Sequence, residues 1–167
     1  MSNPSLSLSR VATPALTNRV LEVRRALATA DPSIGFLAPP SQRQSFPEDV
    51  PPSYQEFLRL ADGAACGVVM LYESEGLSGH QVLAKGLPGG RARWFCFGAA
   101  EDYALVMDRH TGAVYLVPFE DHFDEENALG NLEYFLLNSV FGEEYADFLL
   151  DPDNDPWYQL IRPGKTA

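Results

Sequence analysis

Cysteine is nearly absent from this chain: Cys66 and Cys96 are the only two in 167 residues, set in Ala65-Cys66-Gly67 and Phe95-Cys96-Phe97. Two cysteines without histidines at ligand spacing make a poor zinc site, and both are expected to be buried free thiols; a disulfide between them would need their Cα atoms within bridging distance. No apolar run approaches the roughly 20 residues a membrane-spanning helix needs. The opening MSNPSLSLSR has no basic stretch followed by an apolar one, so neither a secretory leader nor membrane association is expected, and the cytoplasm is the expected location. Lysine and arginine are missing altogether between His110 and Ile161, where twelve carboxylates occur. Overall the chain carries −11, unevenly: residues 1–45 hold five Arg against Glu22 and Asp31, a net +3, and residues 46–167 hold −14. Such a balance repels nucleic acid and attracts basic partners.

With 46% apolar and 11% aromatic residues, the chain has the composition of a compact globular domain. A chain of 18.4 kDa is expected to bury about 69% of its unfolded surface, enough for one core.

The richest stretch is residues 46–72, FPEDVPPSYQEFLRLADGAACGVVMLY. Pro51 and Pro52 suit a first helical turn, where the missing N–H has no partner anyway. Tyr54, Phe57, Leu58 and Ala61 fall at i, i+3, i+4 and i+7, one buried face. Asp62-Gly63 is expected to close that helix with a left-handed cap, and an apolar strand to follow. Upstream, Thr13-Pro14 opens a helix with Leu16, Val20, Val23 and Leu27 inward and Arg19, Glu22 and Arg25 outward. Asp31-Pro32 stops it, and the segment to Arg43 reads as an irregular connection.

Further strands are expected over 68–72, 80–85, 92–97, 103–108 and 113–117, with Asp108 to Gly112 as a hairpin connection and Gly86 to Gly90 as a loop. Asn131 is positioned to cap a last helical region with Leu132, Phe135, Leu136 and Val140 on one face. Gly142 interrupts it before Tyr145, Phe148 and Leu149 resume the pattern. Regular structure is expected to end at Asp151-Pro152 to Asp155-Pro156, with Trp157, Tyr158 and Ile161 pinning the tail to the body.

The candidate chemical constellations fail one by one. Asp151, Asp153 and Asp155 begin like a calcium loop, but Pro156 stands where glycine is required and Arg162 where a bidentate Glu is required. Asp121-His122-Phe123-Asp124-Glu125-Glu126 gathers carboxylates around a histidine without a spacing that fixes a coordination geometry. Ser78-Gly79-His80 lacks a nucleophile elbow, and Gly86 to Arg91 lacks the Lys-Ser/Thr of a phosphate loop. Arg91 and Arg93 beside Trp94 are too few for a nucleic-acid face on so acidic a chain.

The 46–72 string resembles the signature of the SUKH superfamily, the group of yeast cell-wall-synthesis regulators and bacterial toxin immunity proteins. Residues 97–108 followed by Thr111-Gly112-Ala113-Val114-Tyr115 are similar to that family's second motif, and 132–149 to its closing aromatic helix. The likeness covers about residues 46–150; Asp62-Gly63 departs from the Asn-Gly of many members, and the Arg-rich first helix and Trp157 tail have no counterpart in it. The resemblance implies a non-catalytic protein-binding domain, an immunity protein that neutralises a cognate nuclease- or deaminase-type toxin, with an intracellular regulatory or scaffold module of the same fold as the alternative. Arg outnumbers Lys ten to two, in keeping with a GC-rich bacterial genome.

The resulting expectations are these. The fold is α+β, a single domain with a mixed, mainly antiparallel sheet flanked by N-terminal and C-terminal helices, and Phe57, Leu58, Trp94, Phe97, Leu105, Val114 and Phe135 lie in its core. Residues 1–13 are a flexible N-terminus, 14–45 the first helix and Pro-rich connection, 46–150 the SUKH-like core and 151–167 a tail packed upon it. No catalytic residue, cofactor or metal is expected. The partner is a basic protein toxin, contacted by Glu120, Asp121, Asp124, Glu125, Glu126, Glu143, Glu144 and Asp147, because loops and helix ends turn side chains outward; Glu73, Glu75 and the loop at Gly86 to Gly90 are the alternative contact surface.

Overall fold

A computed structural model describes residues 12–47, 49–119, 123, 125 and 127–162; of the N-terminus expected to be flexible, residues 1–11 lie outside this range, and Thr13 belongs to the start of the first helix. Thr13 caps α1 (Pro14–Ala28), its hydroxyl accepting from the Leu16 N–H, and Leu16, Val20 and Val23 are buried. Pro51 precedes α2 (Pro52–Leu60), and Tyr54, Phe57, Leu58 and Ala61 are all fully buried, as their spacing requires. The end of α2 differs from expectation: Ala61 turns extended at once, and the positive φ of Gly63 serves the turn into the sheet instead of a helix cap.

Seven strands run in chain order across one sheet, β1 (Gly35–Leu37), β2 (Ala64–Cys66), β3 (Val69–Leu71), β4 (Trp94–Ala100), β5 (Tyr103–Asp108), β6 (Ala113–Pro118) and β7 (Ala128–Asn131). Every described pairing is antiparallel, so the α+β class holds while the sheet is not the mixed one expected. Three strands arise where none was expected: β1 lies inside the supposed irregular connection, β7 runs up to the Asn131 cap, and the Gly63 turn is followed by a tight hairpin, β2 to β3, instead of one strand. Gly67 makes that hairpin possible. Its φ is +62°, and an added Cβ would sit 2.0 Å from the Tyr145 hydroxyl oxygen, which accepts the Val68 N–H at 2.9 Å.

The strand expected over 80–85 is helical. A 3₁₀ turn (Leu77–Gln81) runs into α3 (Val82–Gly86), followed by α4 (Gly90–Arg93). The buried residues Leu77, Gln81 and Ala84 stand at i, i+4 and i+7, whereas Val82 is 70% exposed; helical spacing outweighed the short apolar run. Gln81 is buried but satisfied. Its amide donates to the Leu77 and Cys96 carbonyls (3.0 and 2.7 Å) and accepts the Cys96 N–H (2.8 Å), next to where the β4–β5 register shifts.

Most apolar residues pack on one sheet face, beneath α1, α2 and the C-terminal helical segments. Those segments are α5 (Leu132–Tyr134), capped by Asn131 and continued by a π-helix (Phe135–Val140), then a 3₁₀ segment (Glu143–Phe148). All seven expected core residues are fully buried, but Trp94 belongs to a second, smaller cluster on the opposite face, under α3. Regular structure does not stop at Asp155: its carboxylate caps α6 (Pro156–Ile161), accepting the Tyr158 N–H at 2.8 Å. Trp157 is fully buried and donates to the Val140 carbonyl at 2.9 Å, holding the tail to the body.

Arg19, expected to face outward, reaches across instead. Its guanidinium donates to the Phe141 carbonyl (2.7 and 3.0 Å) and the Ile161 carbonyl (2.7 Å), the carbonyls that the ends of the π-helix and α6 leave open. Arg24 does likewise for the carbonyls of Leu37, Ala38 and Leu60, closing the outer edge of β1.

Candidate partner-binding surface

Of the eight carboxylates expected to make contact, Glu120, Asp121, Asp124 and Glu126 lie outside the described residues, as does His122. Glu125 is exposed yet not free. It accepts both arms of the Arg93 guanidinium at 3.1 and 3.2 Å, and the hydrogen bond to Glu125 holds Arg93 more firmly protonated than usual. Arg93 also lies over the Trp94 ring at 4.4 Å and pairs with Asp108 at 3.3 Å.

Glu143, Glu144 and Asp147 are exposed on the 3₁₀ segment (Glu143–Phe148), where Gly142 turns the chain out of the π-helix. Glu144 accepts the Tyr134 hydroxyl at 2.7 Å, which raises the phenol above its ordinary pKa. Glu143 and Glu144 line an open groove of about 900 Å³ between α1, the π-helix and α6, and Arg19, Arg25 and Arg162 line it too. The stretch without cations in sequence is therefore not a surface without cations in space, because α1 and the end of α6 bring arginines alongside it.

The remaining arginines near the sheet are occupied. Arg91 pairs with Asp49 at 3.0 Å, and Arg109 donates to the Arg91 carbonyl at 2.8 Å and to the Asp49 carbonyl. Burial pushes the Asp108 carboxyl up, but the His110 and Thr111 N–H groups and Arg93 more than offset it and hold the carboxyl below its ordinary range. This is a turn-holding arrangement at the β5–β6 hairpin.

Among the described residues the thiols and the unusual carboxylates lie apart. Burial raises both thiols, Cys96 to about 11 and Cys66 further, so neither is a thiolate near neutral pH. Glu56 on α2 is raised by burial and by the nearby Glu133 carboxylate, which itself accepts the Thr13 hydroxyl. Asp153 pairs with Arg162 at 3.1 Å, and Asp151 accepts from the Asn154 amide at 2.6 Å. Among the described residues no group of three or more His, Cys, Asp and Glu side chains could hold a metal ion, and no helix is long and apolar enough to cross a membrane.

Glu73 and Glu75, the alternative contact carboxylates, rim a surface whose apolar floor sequence reasoning missed. On the outward face of β1 to β3, Phe36 and Met70 are 56% and 53% exposed. They border a depression of about 270 Å³ closed by Tyr72 and His80, whose rings stack 3.6 Å apart, and rimmed by Asp62, Glu73 and Glu75. The alternation Val69-Met70-Leu71, buried, exposed, buried, was the available signal; it went unused because β1 and β2 are only three residues each. Compared with models of known protein families and with curated proteins, the chain matches none.

Proposed function

We propose that this chain is a non-catalytic, SUKH-like protein-binding domain, an immunity protein of the bacterial cytoplasm that neutralises a cognate nuclease- or deaminase-type toxin by covering a basic surface. The observation that carries this reading is the surface charge. Arg19 and Arg24 are taken up by backbone carbonyls, while Glu73, Glu75, Glu101, Asp102, Glu143 and Asp147 stand exposed without an ion-pair partner among the described residues. Carboxylates held on a rigid body and left unpaired favour encounter with a cationic protein and disfavour nucleic acid. The resemblance of residues 46–150 to SUKH proteins, and the α+β fold around that stretch, support the same reading.

Co-purification of the tagged chain with the product of the adjacent gene, followed by a growth-protection assay with that product expressed as a toxin, tests it. Protection is expected, and it should be weakened by reversing the exposed carboxylates without an ion-pair partner, Glu73, Glu75, Glu143 and Asp147 together, to Lys. A stable complex without any protection would favour the regulatory or scaffold module; no complex with any neighbouring product would remove the immunity reading.

A further inference from the structure

The outward face of the sheet is only half covered. Over β4 to β6 the helical segment 77–93 and Phe123 bury Trp94, Cys96, Ala104, Val106 and Val117. The strand register extends one of these rows sideways, Val117 to Ala104 to Ala99 to Met70 to Ala65 to Phe36. The last four positions leave the covered cluster, and at Met70 and Phe36 more than half of each side chain meets solvent. The floor of this open half is apolar, whereas its rim carries Asp62, Glu73 and Glu75 with no Lys or Arg among the lining residues. Asp62 is engaged by the Ser74 N–H and hydroxyl at 2.7 and 3.0 Å, which leaves Glu73 and Glu75 as the charges open to a partner.

We infer that this half-sheet is a docking surface for a cationic segment of a partner protein, one whose Arg or Lys stem lies along Phe36 and Met70 while its charged head meets Glu73 and Glu75. The inference rests on the basic-partner reading above and names its contact surface. Long cationic side chains combine an apolar stem with a charged tip, the combination this floor and rim present. The depression is about the size of one such side chain, and the stacked Tyr72 and His80 rings close it on one side. A second copy of this chain fits poorly, since a two-fold contact through this face brings together two acidic rims that hold no Lys or Arg. The expected contact carboxylates fit less well too, because Glu125 is already paired and Glu143 and Glu144 share their groove with three arginines.

The test is a nuclear magnetic resonance titration of the full chain, with labelled methionine methyls and backbone amides. The probe is acetyl-Leu-Arg-Leu-Arg-Leu-amide, compared with the same peptide carrying Glu for Arg. The Met70 methyl and the Ala65 and Ala99 amides should shift with the arginine peptide and stay still with the glutamate peptide. Glu73→Lys combined with Glu75→Lys should weaken binding about tenfold, and Met70→Ser should weaken it with the melting temperature unchanged. Shifts confined to Glu143 to Asp147, no shift with either peptide, or a Met70 shift driven by protein concentration alone would each overturn the assignment. Tight binding of a cognate toxin that leaves the Met70 signal unmoved would retire this surface while leaving the proposed function standing.

Discussion

Gly67 and Tyr145 depend on each other. The β2–β3 turn needs a positive φ, and the tyrosine hydroxyl occupies the space a Cβ would take while accepting the Val68 N–H. Gly67→Ala is expected to destabilise the protein by about 2–4 kcal/mol, combining backbone strain with overpacking. Tyr145→Phe should cost about 1 kcal/mol through the lost acceptor. In the double variant the alanine should cost less than in the wild type, because the clashing oxygen is gone; strictly additive denaturation midpoints would contradict this geometry. Arg19 makes a comparable case. Arg19→Met should cost about 2–3 kcal/mol by leaving the Phe141 and Ile161 carbonyls without their charged donor, and Arg19→Lys should restore only part, since an ammonium has no planar fork. A loss within 0.5 kcal/mol in urea titration would mean solvent replaces the arginine at no cost.

The elements divide by how strongly their sequences are written. α1, α2 and the β5–β6 hairpin were legible because caps, periodicity and turn residues agree, and α2 holds the main core. Phe57→Ala is expected to cost about 3–5 kcal/mol and to unfold much of the chain, since Phe57 is fully buried against Tyr54 at 5.6 Å between ring centroids. A loss below about 1 kcal/mol in a denaturant titration would show that the site collapses around the cavity. Shorter elements were not legible. β1, β2 and β3 are three residues each, too short for alternation to register, and they exist because Arg24, the Gly67 turn and β4 hold their backbones. The run 80–85 misled because six residues with apolar content fit either period, and only the tertiary position of Leu77, Gln81 and Ala84 decides between them. The same limit hid the Phe36–Met70 surface. The acid-only stretch was legible as charge but not as partners, since Arg93 approaches Glu125 from 32 positions away.

At the scale of the whole molecule, burial and charge set how the protein responds to its surroundings. Burial raises the pKa values of Cys66, Cys96, Tyr54 and Tyr145 above their ordinary range. A raised folded pKa means the unfolded chain releases its proton first, so this stability is intact below the unfolded values and declines as pH climbs past them. Urea midpoints should therefore hold from pH 7 to about 8.5 and fall steadily above about pH 9, where unfolded thiols and then phenols ionise. Cys66→Ala should remove part of that slope, and a flat profile to pH 11 would place these groups in contact with water. The proposed function leads to the central claim, inhibition by occlusion. It is tested most directly by titrating the cognate toxin with this protein and following residual toxin activity. Inhibition should saturate at a fixed molar ratio, weaken at high salt, and be fully reversed when the complex is denatured and the toxin refolded. A toxin left covalently altered, or silenced by a small fraction of its own molar amount, would contradict the account and reveal an active site in this fold.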